Sequence, residues 1–353
     1  MTLSPYDHPV LSAWMGDAAT RAAFSWEAES AGLLAFWRAL AEATAEAGLA
    51  PPDDARALAD ALRAAALPPP EALADRVRRD GMVVPGLVAA LRGALPPGLA
   101  PLLHRGATTQ DALDTALMLR MRDLVRWQAG RLGALDEAMA GLADRFGARP
   151  LMAVTRMRDA LPVTVGDRIA TWRGGLAAAA EALRAAAAGA PAQLAGPVGD
   201  GRGFDGRVEA VRAGLARRLA LRDPGGAWHV DRAPVMRVAA ALEAAARAGG
   251  KVGLDLAMMA QDRVGDAGLR GGGSSAMAHK VNPVDAELAV AAARHAAALL
   301  GAQAGAALHE AERSGAAWTA EWMTLPPLAG AAGAAILAVE RLVPAVERLG
   351  PAG

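Results

Sequence analysis

The segment RGGGSSAMAHKVNP, residues 270–283, combines three consecutive glycines, two serines, a lysine and an Asn-Pro step, and it lies between two apolar stretches. The glycines favour a loop that adopts unusual backbone angles and can open and close. Asn282 suits a helix N-cap and Pro283 a first helical residue, so the sequence predicts a helix that starts there. The alternative is an ordinary connection between two helices.

Lysine is rare in this chain, and one of its lysines lies inside that loop. Lysine and arginine together number 37, but only Lys251 and Lys280 are lysines. A lysine ammonium is a compact charge on a flexible stem, which a planar guanidinium does not replace. Lys280 is therefore a candidate for a role in chemistry.

The composition of the 353-residue chain argues against several classes of protein. The formal net charge is zero, so no overall basic charge predicts a nucleic acid or an anionic membrane as partner. The absence of cysteine excludes disulfides, thiolate catalysis and thiolate metal ligands. The N-terminus does not resemble a signal peptide, and the uncharged runs are shorter than the roughly 20 residues that span a bilayer. We expect a cytoplasmic protein that binds neither nucleic acid nor membrane.

Alanine, leucine, arginine and glutamate dominate the chain and aromatic residues make up 4%, which favours helices. Long helices are predicted at about 110–146, 159–189, 205–220, 232–265, 283–313 and 325–349, and no strand pattern is strong enough to build a sheet. The predicted fold is therefore an all-α bundle of long helices. The predicted domains are an N-terminal helical domain at 1–103, the bundle at 104–330 with the loop at 270–283, and a short C-terminal helix at 331–353.

Four polar islands interrupt these helices, namely residues 104–111, 155–162, 193–203 and 228–232. Each island has a structural explanation. Thr108 and Asp111 have the spacing of a capping box, Arg156 and Arg158 suit two surface arginines, residues 193–203 form a glycine-dense turn, and Asp231 suits an N-cap. The functional explanation of the first island is that its hydroxyls, its amide and the N–H groups of a helix end bind a carboxylate.

Metal, phosphate and serine-hydrolase sites are not predicted. The histidines show neither HExxH nor paired spacing, and they are His8, His104, His229, His279, His295 and His309. The glycine-rich turn has no GK[ST] and no preceding strand, and the serine pair at 274–275 has no G-x-S-x-G elbow. A serine in a flexible loop, near a lysine and with anion-binding residues elsewhere in the chain, suits proton transfer at carbon better.

Together, these segments resemble the fumarase/aspartase superfamily. GSSAMAHKVNP at 273–283 resembles its signature loop, GSSxMPxKxNP, and HRGATTQDALDT at 104–115 resembles its first region as found in the 3-carboxy-cis,cis-muconate cycloisomerases. The further matching segments are TRMRDALPVTVGDRIATW at 155–172, AQLAGPVGDG at 192–201, WHVDR at 228–232 and HEAERSGAAWTAEWMTLP at 309–326. The resemblance extends from about residue 3 to residue 330.

The resemblance implies an all-α homotetramer without metal or nucleotide, in which subunits share each active site. By position, Ser274 matches the proton-transfer serine, and Lys280 is its expected catalytic neighbour. The expected substrate-binding residues are His104, Thr108, Thr109, Gln110, Arg156, Gln193, His229, Ser275, Met277 and Asn282. The implied reaction interconverts 3-carboxy-cis,cis-muconate, a small tricarboxylate, and 4-carboxymuconolactone in the protocatechuate branch of the β-ketoadipate pathway.

Several positions depart from the superfamily pattern. We expect these departures to affect the identity of the substrate and the catalytic rate more than the fold. Ala278 replaces the proline of the loop, Val154 and Arg158 replace residues of the second region, and Ala233-Pro234 follows Arg232 where a second arginine is usual. Arg156 replaces a histidine of fumarase and aspartase. A lactone leaves as a carboxylate that needs no proton, and an arginine suits a tricarboxylate.

Two other functions are compatible with the same residues. One is a β-elimination lyase that releases fumarate, like adenylosuccinate or argininosuccinate lyase, and the other is a helical scaffold without activity. The sequence stops near the end of the bundle, so the third domain of the superfamily is expected to be short or absent.

Overall fold

The computed structural model describes residues 4–273, 276–277 and 280–351. Among these residues the helices are α1 (Ser12–Met15), α2 (Ala18–Ala23), α3 (Trp26–Glu46), α4 (Pro52–Ala64), α5 (Pro70–Asp80), α6 (Val84–Ala94), α7 (Thr109–Phe146), α8 (Val165–Ala188), α9 (Val208–Leu219), α10 (Ala233–Met259), α11 (Val284–Ala306) and α12 (Ala316–Ala345). The strands are β1 (Pro150–Thr155), β2 (Arg158–Thr164), β3 (Ala267–Leu269) and β4 (Val346–Leu349). The predicted fold of long helices is confirmed.

Five long helices, α7, α8, α10, α11 and α12, pack side by side as the bundle. Small residues let the helices approach closely. A Cβ atom added to Gly253 of α10 would lie 2.7 Å from the carbonyl oxygen of Ala286 in α11, which is too close for a side chain. The abundance of alanine and glycine is therefore a packing requirement of the bundle.

Helix α7 defines two ends of this bundle. It contains 38 residues, which span about 57 Å at 1.5 Å per residue. At the first end, near its N-terminus, Arg232 pairs with Asp114 of α7 and with Glu321 of α12. At the second end, α8 begins beside the C-terminus of α7, because Gly166 N–H donates to the carbonyl of Gly147.

The N-terminal helices pack against α7. Helix α3 lies between α7, α4 and α9, and it buries Leu33, Phe36, Trp37 and Leu40. Ser25 caps α3 through a hydrogen bond from the Ala28 N–H. This layer positions Trp37 beside the first polar island.

A β-hairpin occupies residues 150–164, where the sequence predicted no strand and a helix from 159. Strands β1 and β2 pair antiparallel, and Arg156 and Met157 between them both have positive φ, at 50° and 63°. Positive φ at both central residues is the geometry of a tight hairpin turn that usually carries Asn or Gly. Arg156 and Met157 are neither Asn nor Gly, so the sequence does not predict this turn. Helix α8 starts only at Val165, behind a Thr164–Asp167 capping box.

Helix α12 starts at Ala316, nine residues before the predicted position, and continues through Pro326 and Pro327. The carbonyls that lose their donors belong to Trp322 and Met323, whose residues are exposed, so water can satisfy those carbonyls. One helix thus crosses position 331, and the short C-terminal helix predicted at 331–353 is not a separate element. The division into domains otherwise stays a prediction.

By length and composition α12 is also apolar enough to cross a membrane, which the lengths of the uncharged runs did not suggest. Its most apolar window is 67% buried inside the structure, as in the core helix of a bundle. It lies against α10 and α11, which accounts for its apolar residues without a bilayer.

Candidate functional site

Three of the four polar islands meet at one carboxylate at the first end of the bundle. Asp111, in the first turn of α7, is fully buried. Its oxygens accept hydrogen bonds from the backbone N–H groups of Thr108, Ala195 and Gly196 at 2.9, 3.1 and 2.9 Å. They also accept a bond from Nε2 of His229 at 2.8 Å. Asp111 therefore fixes the relative positions of the first, third and fourth islands.

The first and third islands touch through their backbones. Gly106 has a φ of +69°, and a Cβ atom there would lie 2.9 Å from the Gly203 carbonyl oxygen and 2.8 Å from Cζ of Phe204. A larger residue would separate the two loops. Glycine at position 106 is required both by the left-handed backbone and by this close approach.

Arg313, in the connection between α11 and α12, covers the start of α7. Its Nη1 donates to Oγ1 of Thr108 at 2.6 Å, and its Nε donates to Oε1 of Gln110 at 3.3 Å. The amide nitrogen of Gln110 donates to the carbonyl of His229 at 2.9 Å. Both the oxygen and the nitrogen of the Gln110 amide therefore have partners within the chain. The side chain helps to orient Arg313 and is not simply free to bind a substrate. Thr109, the first residue of α7, is half-buried beside them.

His104 is held in one protonation state next to this helix start. Trp37 Nε1 donates to its Nδ1 at 3.0 Å, so a proton on the neutral ring lies on Nε2. Burial is the main cause that lowers the pKa of His104 to about 4, the charge of Asp111 opposes this shift, and the charge of Arg92 adds to it. His104 therefore offers a neutral N–H donor at ordinary pH.

Gln193 and His229 are packed inside the fold, which does not favour their predicted contact with substrate. Gln193 is fully buried, and its Oε1 accepts from the Trp228 N–H at 3.1 Å. Thr115 donates to its carbonyl and accepts from its N–H. His229 is 2% exposed and donates from Nε2 to Asp111. Both residues stabilise the polar islands through buried hydrogen bonds.

Arg232 lies below these loops in a buried ion-pair network. Its guanidinium makes two bonds to Asp114, at 2.7 and 2.9 Å, and two to Glu321, at 2.9 and 2.8 Å. Burial by itself would lower the pKa of Arg232, but Asp114 and Glu321 raise it overall, so it stays charged. The guanidinium also lies 4.9 Å from the centre of the Trp228 ring. The retained arginine of WHVDR therefore has a structural role.

The described residues of the loop at 270–283 lie at the second end of the bundle. Gly272 and Asn282 pair through both backbone bonds, at 3.0 and 2.7 Å, and α11 has Pro283 as its N-cap and not Asn282 as predicted. A Cβ atom on Gly271 would lie 2.4 Å from the Asn282 carbonyl oxygen, so this glycine serves close packing. Lys280 and Met277 are exposed. Ser274 and Ser275 lie outside the described residues.

Arg156 also lies toward the second end, in the exposed turn that follows β1. The predicted site residues therefore form two groups within one chain. His104, Thr108, Thr109 and Gln110 lie at the start of α7, whereas Arg156 follows its end, about 57 Å away along the helix axis. A single chain does not bring the two groups together. Within residues 4–273, 276–277 and 280–351, no cluster of three or more His, Asp or Glu side chains could hold a metal.

Comparison with known proteins identifies the family. A sequence profile described as a lyase family matches residues 12–297. 3-Carboxy-cis,cis-muconate cycloisomerase of Pseudomonas aeruginosa is 35% identical over 327 residues, which are 90% of this chain and 71% of the relative. This chain belongs to the lyase family.

Two further relatives of this lyase cover nearly all of the chain. The crystal structure of 3-carboxy-cis,cis-muconate lactonizing enzyme from Pseudomonas putida superposes with a TM-score of 0.87 at 30% identity, covering 96% of this chain and 77% of that one. Nitrosuccinate lyase of Streptomyces davaonensis is 35% identical over 364 residues, 95% of this chain and 74% of the relative. The family thus includes both lactone formation and elimination among its named members.

The sequence did not single out Arg313 and Asp111 as site residues of this lyase. The spacing of Asp111 predicts only a helix cap, although its carboxylate joins three islands. Arg313 lies in a segment that resembled the family, but nothing in the order of residues brings it to Thr108, 205 positions earlier. The sequence offers one signal for Arg313, which is its position at the end of the helix predicted at 283–313.

Proposed function

We propose that this lyase is a cofactor-free cycloisomerase that interconverts 3-carboxy-cis,cis-muconate and 4-carboxymuconolactone in the protocatechuate branch of the β-ketoadipate pathway. The observation that carries the proposal is the similarity to cycloisomerases over 90% of the chain, at 35% identity. Arg313 over Thr108 and Gln110 supports it, because a substrate with three carboxylates needs cations and N–H donors.

The chemistry is an isomerisation, so no atoms are gained or lost. A carboxylate oxygen of the substrate forms a bond to an alkene carbon, the π electrons of that alkene move to the neighbouring carbon, and a proton is added there. The intermediate is an aci-carboxylate, in which negative charge accumulates on a second carboxyl group. Fixed donors and cations lower the free energy of such a species.

Arg313 is suited to hold that charge. A guanidinium has five N–H donors, and its bonds to Thr108 and Gln110 use two of them. Within the described part of the chain no further partner takes the others. Its two contacts fix the plane of the guanidinium, so that the remaining donors have a set direction toward a bound carboxylate.

Ser274 is proposed as the residue that delivers and removes the proton, with Lys280 stabilising its alkoxide. We further propose that the second group of residues reaches the first across a subunit boundary in a homotetramer. The support is the length of α7, because about 57 Å separates its start from the hairpin that carries Arg156 in the same chain. In such a tetramer a second copy would place Arg156 and Lys280 beside Arg313.

A second candidate function is β-elimination with release of fumarate or a related alkene. The relative named nitrosuccinate lyase, equally similar at 35% identity over 95% of this chain, favours it. The two reactions share an aci-carboxylate intermediate and differ in the group that leaves, which is a carboxylate for lactone opening and an amine or nitrite for elimination.

One ultraviolet assay separates these functions. The purified protein is mixed with 3-carboxy-cis,cis-muconate, nitrosuccinate, adenylosuccinate or argininosuccinate. Loss of diene absorbance identifies the cycloisomerase, whereas fumarate absorbance identifies a lyase. Activity on none of them would favour a scaffold and contradict the proposal. Ser274→Ala should abolish the turnover while the oligomer, measured by light scattering, stays intact.

A further inference from the structure

A cavity of about 410 Å³ lies between α7, α12 and the segment that joins α5 to α6. Its walls are mainly apolar and aromatic and include Phe24, Val77, Met82, Leu117, Trp318 and Trp322. This volume and lining are typical of a small-molecule site. None of Thr108, Gln110 or Arg313 lines it, so the cavity is distinct from the candidate active site.

The charges around this cavity do not cancel. Three carboxylates line it, those of Glu29, Asp114 and Glu321, together with the guanidinium of Arg120. Arg232, which pairs with both Asp114 and Glu321, supplies the second positive charge. Asp114 and Glu321 are 1% and 3% exposed, so water screens them little. One negative charge is left over beside an apolar space.

The nearby histidine does not supply the missing positive charge. Nε2 of His309 lies 3.5 Å from Oε1 of Glu321. Burial lowers the pKa of His309, and the charge of Arg232 lowers it further, so the ring is neutral at ordinary pH. Burial and the charge of Asp114 raise the pKa of Glu321, and the bidentate contact with Arg232 limits that rise.

We propose that this cavity binds an organic monocation that has an apolar body and one ammonium group. The uncompensated carboxylate charge attracts the ammonium, and because Asp114 and Glu321 are buried this attraction is stronger than in water. Trp318 and Trp322 pack edge to face, 4.9 Å between ring centres, and line the cavity with aromatic surface. Aromatic faces bind both apolar groups and cations. An anion of the same size is repelled.

Three probes of matched shape test the charge preference. They are 3-phenylpropylamine, 3-phenylpropanol and 3-phenylpropionate, and binding to the intact protein is measured by calorimetry and by tryptophan fluorescence. We expect the amine to bind, the alcohol to bind at least tenfold more weakly, and the carboxylate not to bind measurably. Equal binding of the amine and the carboxylate, or binding of none of the three, would overturn the proposal.

Two variants and one control variant locate the binding. Val77 is 37% exposed and lines the cavity, so Val77→Trp should block entry and abolish binding of the amine, whereas Val10→Trp, at a site that is 72% exposed and does not line the cavity, should not. Glu29→Gln brings the charges to balance and removes only a 3.6 Å contact to Arg120. It should reduce the preference for amine over alcohol to less than threefold. An unchanged preference, or amine binding to Val77→Trp as to the parent protein, contradicts the site.

Discussion

Nε2 of His229 and Oδ1 of Asp111 lie 2.8 Å apart although 118 positions separate them in the chain. The same carboxylate accepts three backbone N–H groups from two loops. One buried carboxylate accepts bonds from four donors on three segments, and these bonds hold the segments in fixed positions. The candidate site at the first end of the bundle is built around this contact.

Asp111→Asn should destabilise the protein by about 2–4 kcal/mol, because the new amide group faces donors and leaves them unpaired in the interior. Urea unfolding followed by circular dichroism measures the change. Asp123→Asn is the matched control, since the Asp123 side chain is 63% exposed, and it should change the free energy of unfolding by less than about 0.5 kcal/mol. An Asp111→Asn protein as stable as the control would refute the central role of this carboxylate.

Arg313→Gln should weaken binding of a tricarboxylate and lower kcat/KM about 100-fold on the proposed substrate, because a fixed cation is lost. Arg313→Lys should recover only part of the loss, since an ammonium does not reproduce two bonds in one plane. Calorimetry with tricarballylate measures binding independently of turnover. Arg126→Gln, at a side chain that is 56% exposed, is the control. Unchanged tricarballylate affinity in Arg313→Gln would remove Arg313 from the site.

Arg156→His should lower turnover on 3-carboxymuconate without changing stability. Arg156 lies in an exposed turn at a φ of 50°, a conformation that histidine tolerates, so the fold does not depend on it. The expected loss arises because an arginine binds a carboxylate in two places and a histidine does not. Steady-state kinetics and a thermal melt test the two parts separately. Turnover that equals or exceeds that of the parent enzyme would contradict this role.

His104 should make stability depend on pH between about 6.5 and 4. Burial lowers its pKa in the folded state to about 4, so the unfolded chain binds a proton in that interval and the folded protein does not. Stability is therefore fully present above pH 6.5 and is lost as the pH falls toward 4, by roughly 3 kcal/mol in total. Urea unfolding at several pH values measures this slope, which His104→Asn should reduce. An identical slope in that variant would mean that other groups cause the pH dependence.

The sequence alone determined the long helices, because apolar residues at helical spacing and a shortage of β-branched residues leave few alternatives. It also determined the family, since the loop at 270–283 and the islands are contiguous motifs. The hairpin at Arg156 was not predictable, because its turn contains neither glycine nor asparagine and most residues of its strands are exposed, with only Leu151 buried.

Only the tertiary structure decided which polar residues belong together. Gln193 and His229 were candidates for contact with substrate, and packing places them behind the loops that they stabilise. Arg313 becomes a candidate site residue because the connection before α12 returns to the start of α7. The physical reason is that motif spacing describes local geometry, whereas hydrogen bonds between positions 118 or 205 residues apart depend on how the bundle closes.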